Sequence, residues 1–318
     1  MNQSSRIRQW VVVSAALVCF ATSLVAGAAE SRAETVKIGY FTTYLPSEIE
    51  AHIIATIARE YPQLGVSDVE FIGTDVAPAW IGLRRGDIDV LVEVDLPNQQ
   101  HLLDEAKGQA DVLSQLFADA GQGFFVPRFT VEGPDAPAAG LKSIDQLNEY
   151  KDVFDGTLHD ESPGWQSTKF NAMRLDAYGL DFKHIKLSDA ALVAQVQRAY
   201  ERKEPILFFF YHPHWLFERF DVVKLDEPDT YREGCFTEGN GRCPVPSFSA
   251  WVAARNDLAE RTPKFYSLLK NVTLSIEEVE TLLFKIDRED QPVAEAAKAW
   301  VDSHRSEIDE WVKQAAGG

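Results

Sequence analysis

The sequence predicts an α/β protein of two lobes, joined by a hinge through which the chain crosses twice. Three observations lead there. Between Thr35 and Val94 strands and helices alternate in the order β-α-β-α-β, which makes a parallel sheet with helices on its faces. Residues 206–211, ILFFFY, form a second apolar and aromatic run far from the first, between Pro205 and Pro213, too short to span a membrane and suited to a strand buried on both faces. The chain then turns back toward its first part near residue 221, and a double linker of that kind suits closure of two lobes over a ligand.

The elements follow in order. Thr35–Phe41 is a strand with Val36, Ile38 and Tyr40 alternating, and Glu48–Tyr61 carries Ile49, Ile53, Ile54 and Ile57 at helical spacing. Val69–Ile72 is a second strand, Ala77–Arg85 a helix that Gly86 ends, and Ile88–Val94 a third, buried strand. Pro97–Lys107 reads as a loop and helix, and Gly123–Phe129 as a strand broken by Pro127. Ser143 and Gln146 make a capping box for a short helix, and Val153–Leu158 is a strand running into HDESPGWQS. Trp165–Tyr178 is a helix with Met173 and Leu175 turned inward, and Leu187–Arg202 another with Leu192, Val196 and Tyr200 on one stripe. Asp221–Leu225 is extended crossover chain, Phe248–Ala254 a last strand, and Leu258–Val312 almost wholly helical with breaks near Pro263 and Thr273. The expected division is residues 34–126 with 221–318 in the first lobe, and 127–220 in the second.

Residues 1–28 have the pattern of a secretory signal: Arg6 and Arg8, an apolar stretch from Trp10 to Val25, and the small residues Ala26, Gly27 and Ala28. A periplasmic, exported protein is therefore expected. In that setting the remaining cysteines, Cys235 and Cys243, flanking a Gly/Asn-rich turn, are expected to form a disulfide. Closing so short a loop stabilises by roughly 2–3 kcal/mol. The cysteine spacing matches no zinc pattern and no metal or cofactor is expected. A formal net charge of -18 argues against nucleic acid as a partner, because phosphate binding needs a basic face. It suits solubility, and attraction of a cation.

Several blocks, in order, carry a family resemblance: LRRGDIDVLVEVDLPNQ, DESPGWQS, NAMRLDAYGL, EPILFFFYHPHWLF and FDVVKLDEP. Together they resemble the glycine betaine/choline-binding proteins of ABC importers over most of residues 35–290. The resemblance implies a type II periplasmic binding fold, a ligand held between the lobes, delivery to an inner-membrane ABC permease by a monomer, and no catalysis. It places Trp165 in the cleft at a helix start, Tyr211 as the aromatic residue of a strand end, and Tyr44 near a position where the family carries Trp. Asp95, in VDLP, stands where the family usually has Trp in VWLP.

The chemistry of the residues agrees with that reading. A quaternary ammonium donates no N–H bond, so it is held by ring faces, at about 0.5–2 kcal/mol each, and by a nearby carboxylate. The candidates for the ligand are Tyr44, Asp95, Phe125, Trp165, Gln166, Tyr211 and His212. Phe124 and Phe125 alternate, so one faces the core and the other the cleft. Backbone N–H groups near Gly164 and Trp165, with Gln166 and Ser167, suit a ligand anion. The shift from Trp to Asp95 points to a cation bearing N–H groups or a compact cation, and away from plain glycine betaine. An alternative is a different cationic or amino-acid-like ligand. His212 and His214, two apart, make at most half a metal site. An exported hydrolase built on His159, Asp160, Glu161 and Ser162 is the rival from another class, but the chain has no G-x-S-x-G element.

Overall fold

The computed structural model describes residues 34–42 and 44–317; the expected signal segment lies outside them. The first stretch folds as β1 (Glu34–Phe41), α1 (Leu45–Glu60), β2 (Val66–Thr74), α2 (Val76–Arg85), β3 (Val90–Leu96), α3 (Gln100–Glu105) and β4 (Ala110–Ala120). Then come β5 (Gln122–Pro127), α4 (Arg128–Val131), a 3-10 helix over Ile144–Phe154, β6 (Thr157–Asp160), α5 (Gln166–Ala177), β7 (Lys183–Lys186), α6 (Asp189–Arg202), β8 (Leu207–Tyr211), α7 (Leu216–Arg219) and β9 (Val222–Lys224). The last part is β10 (Phe248–Arg255), α8 (Leu258–Arg261), α9 (Pro263–Leu268), α10 (Ile276–Glu289), α11 (Val293–Ser303) and α12 (Arg305–Ala315).

Two five-stranded mixed sheets result, in the orders β2-β1-β3-β10-β4 and β7-β6-β8-β5-β9. In the first, β1 runs parallel to β2 and β3, while β10 lies antiparallel between β3 and β4. In the second, β6 is parallel to β7 and β8, and β5 is antiparallel to β8 and β9. The two-lobed α/β class is as expected, and the chain passes between the sheets twice.

The crossing points differ from the expected ones. Residues 122–126 do not belong with the first lobe: Phe124 pairs with Phe209 and Phe125 with Phe208 in the second sheet. Likewise 222–224 is no free crossover but a strand, with Val223 opposite Val126. The first crossing is thus at Gly121, where β4 ends and β5 begins, and the second lies between Lys224 and Phe248. Gln122 Nε2 donates to the carbonyl of Pro246 at 2.6 Å and ties the two crossings together. Residues 153–154 close the 3-10 helix instead of opening a strand, and β6 starts at Thr157. The 3-10 helix does carry the capping box of Ser143 and Gln146.

Strand β8 is buried along its whole length, as the apolar run predicts. Phe208 and Phe210 face a cluster shared with α6, α7 and the C-terminal helices, and Leu207 and Phe209 face a second one with Phe124, Leu158 and Leu175. Phe125 packs in the first of these clusters and Phe124 in the second, under the Arg174 guanidinium at 4.3 Å. Neither faces the cleft, because helices cover both sides of β5. Cys235 and Cys243 are bonded, in the loop of the second crossing.

Candidate functional site

A cavity of about 530 Å3 opens between the sheets, lined from both. From the first come Phe41, Tyr44, Val76, Asp95, Asn98, Gln99 and Phe248; from the second, Gln122, Trp165, Gln166, Ser167, Phe170 and Tyr211. Val245 and Pro246 of the second crossing close the wall. Five of the seven residues expected at a ligand therefore meet in one place: Tyr44, Asp95, Trp165, Gln166 and Tyr211. Among the described lining residues there is no Lys, Arg or His.

Each wall is held by its element. Asp95 is the second-last residue of β3, and its carbonyl accepts from Gln99 N at 2.7 Å, which folds the following turn back on the strand end. Gln99 is pinned in turn by Trp80 Nε1, which donates to Gln99 Oε1 at 2.7 Å. Tyr44 precedes α1 at its N-cap, with a buried hydroxyl that has no hydrogen-bond partner among the described residues. Trp165 is the N-cap residue of α5 and is 42% exposed, a large ring presented to solvent. Its ring lies 5.3 Å from that of Tyr211, tilted by 36°. Tyr211 is 8% exposed at the end of β8. The two residues following Trp165 begin α5, where N–H groups have no intrahelical acceptor.

Electrostatics set the first wall apart. Burial pushes the Asp95 carboxyl well above the usual range, and neighbouring Glu93 adds to it. The Tyr44 hydroxyl is pushed up by burial, then by Glu93 and Asp95. In the second wall Tyr211 is raised by burial, then by Asp189 and Glu161.

His212 and Phe125 do not reach the cavity. His212 Nδ1 bonds Glu280 Oε1 of α10 at 2.6 Å, and its ring stacks on Phe217 at 3.7 Å. His214 turns elsewhere: its Nδ1 accepts from Leu216 N at 3.1 Å. The strand-end cluster of imidazoles is thus packing against α7 and α10, and of that cluster Tyr211 alone lines the cavity among the described residues. The residues considered for hydrolysis do not assemble either. His159 Nδ1 bonds the Leu207 carbonyl at 3.3 Å, while Asp160 accepts from Glu161 N, Asn171 Nδ2 and His184 Nε2.

Residues 34–303 match the family model described as the substrate-binding domain of the ABC-type glycine betaine transport system. The chain belongs to this family. Among its relatives is the glycine betaine-binding periplasmic protein OusX of Dickeya dadantii (strain 3937), 22% identical over 284 residues, which cover 81% of this chain and 84% of that one. The glycine betaine/carnitine transport binding protein GbuC of Listeria monocytogenes serotype 1/2a (strain 10403S) is 27% identical over 124 residues, covering 39% and 37%. Lactococcal OpuAC, closed on glycine betaine, shares the fold with a TM-score of 0.65 and 22% identity, over 88% of this chain and 99% of that one. An ABC-transporter choline-binding protein with choline gives 0.61 and 19%, over 88% and 92%. The glycine betaine transport family is thus built here on the fold that the motif blocks implied.

Sequence reasoning missed most of the apolar lining: Phe41, Val76, Phe170, Val245, Pro246 and Phe248. They come from four separate stretches of the chain and share no motif. It also missed Glu93, two residues before Asp95, where a left-handed φ of 56° breaks the strand's alternation and the side chain comes to lie beside both Glu50 and Asp95.

Proposed function

We propose that the chain is the solute-binding component of an ABC importer and that the cavity holds a small quaternary-ammonium compound or related amine, of the choline or glycine betaine type. The observation that carries this is the pairing of one carboxyl, Asp95, with the ring faces of Tyr44, Trp165 and Tyr211 in a cavity without a basic lining side chain. Spread positive charge is attracted by ring quadrupoles and by a carboxylate, and neither asks for an N–H donor. The relatives support the same class, since their names refer to glycine betaine, and one solved structure of this fold holds choline.

A ligand anion would meet no cationic side chain among the described lining residues, only the first turn of α5 and neutral donors such as Asn98, Gln166 and Ser167. Choline has no anion to place, so the lining favours it over a betaine. A different cationic or amino-acid-like ligand is the second reading, favoured by Asp95, which can also accept N–H bonds. Lobe closure over the ligand would bring the exposed Trp165 out of water and present a closed form to an inner-membrane permease. A monomer delivered to the periplasm, with no chemistry performed on the ligand, fits this role. Titration calorimetry with choline, glycine betaine, carnitine and a primary amine tests it. Micromolar or tighter binding of choline is expected, and failure of every amine to bind defeats the proposal.

A further inference from the structure

Behind the cavity three carboxyls stand in series: Glu50 on α1, Glu93 on β3, and Asp95 at the cavity surface. Glu50 and Glu93 are wholly buried. The Glu93 side chain lies within hydrogen-bond reach of both Glu50 and Asp95. Yet Glu50 Oε1 and Oε2, Glu93 Oε1 and Oε2, and Asp95 Oδ1 have no donor in hydrogen-bond contact among the described residues.

Ionised carboxyls are acceptors only, and burying them unpaired is strongly unfavourable. A protonated carboxyl is itself a donor, so protons held between neighbours satisfy the cluster. Desolvation acts in that direction, raising Glu50 to about 8, and Glu93 and Asp95 well above the ordinary range. The groups facing the cluster from other elements do not oppose it. Tyr44 and Tyr211 are held neutral, Gln99 and Trp80 are neutral, and β10 brings Ala250 opposite Asp95. No Lys, Arg or His is among the causes that shift the three. The placement of Glu93 is also maintained against backbone preference. Its φ of 56° lies in the left-handed region, which is unfavourable for a residue other than glycine.

We propose that Glu50, Glu93 and Asp95 form a proton-exchange relay coupled to the ligand: they share protons in the empty protein, and a permanent cation seated at Asp95 displaces one to solvent. No bond other than O–H is broken; the proton leaves a carboxyl for water or buffer, and the ammonium takes over its charge. Glu93 is a positioning residue that acts through Asp95. Binding of a permanent cation then strengthens as pH rises, by up to about tenfold per pH unit where one whole proton is released.

This rests on the reading of the cavity as an ammonium site, and the test separates the two. Choline is titrated into the mature protein in phosphate and in Tris, whose ionisation heats differ, and its Kd is followed from about pH 6 to 8.5. Release of between about 0.5 and one proton at pH 7, with Kd falling as pH rises, is expected. Glu93→Gln should flatten the pH profile and reduce the proton count, and Glu50→Gln should reduce it in part. If either variant fails to fold, the wild-type proton count still decides. Choline bound with equal heat in both buffers and a level pH profile overturns this inference alone. Failure of choline and every other amine to bind overturns it together with the ligand reading.

Discussion

The two walls of the cavity solve different halves of one recognition problem. The wall from the first sheet is acidic: Asp95, with Glu93 and Glu50 behind it, beside Tyr44. The wall from the second is aromatic and polar: Trp165 and Tyr211, with the unsatisfied first turn of α5. Each wall also hides buried carboxyls without a partner among the described residues, Glu50 and Glu93 in one and Glu161 in the other. The difference is connection. None of these lines the cavity, but Glu93 lies within hydrogen-bond reach of Asp95, whereas Glu161 sits near Asp160 and Asp189 and acts on the lining only as one of the charges that raise Tyr211. We therefore expect the same chemistry to bear chiefly on ligand binding in the first lobe and on folding in the second.

The largest effect should come from the aromatic wall. Trp165→Ala should weaken choline by at least about thirtyfold, from cation–π attraction near 2 kcal/mol, with the melting temperature unchanged because the ring is exposed. Unchanged affinity by calorimetry would remove the second wall from recognition. Next, Asp95→Asn should weaken choline by about tenfold and glycine betaine by less, since a zwitterion gains little from the acid. Equal losses would show that the acidic wall does not read net charge.

Glu161→Gln tests the contrast from the other side. Burial, then Asp189 and Asp160, pushes this carboxyl up to about 8. The folded state thus keeps a proton that the unfolded chain gives up in the ordinary carboxylate range. The stability linked to Glu161 is full below that range and is lost as pH rises toward 8. The substitution should then stabilise by about 1 kcal/mol at pH 8 and less at pH 5, seen in melting curves, with choline binding retained. A larger gain at pH 5 would reverse the assignment. The smallest effect is expected of Tyr211→Phe, which keeps the ring face; choline affinity should stay within about threefold. A larger loss would mean that the hydroxyl, not the ring, is the contact.

What was legible and what was not follows one physical line. Strands inside a sheet announced themselves: β1, β3, β8 and β10 have apolar residues on one or both faces, and their runs stand out. Strands at sheet edges did so far less: of the four, only β2 was read, and only over Val69–Ile72. Leu113, Leu116 and Phe117 of β4 are separated by Ser114 and Gln115, and β7 is the polar LysHisIleLys of 183–186. The edge strand β9 passed for crossover chain. An edge has one unpaired side and less burial, so its pattern is weak. For the site, Trp165, Gln166, Tyr211 and Asp95 were readable because they sit at element ends within recognisable blocks. His212 and Phe125 misled, since a ring or imidazole near a strand end says nothing about which side will be covered.

By itself the sequence determined the two-lobed α/β class, the family, the disulfide and the motif residues of the cavity, because local pattern and short blocks encode them. The tertiary structure alone decided where the chain crosses between lobes, that α7 and α10 rather than the ligand take His212 and Phe125, and that Glu50 comes to rest beside Glu93. Those outcomes depend on which buried surfaces and carboxyls meet across tens of residues, and no local spacing carries that information.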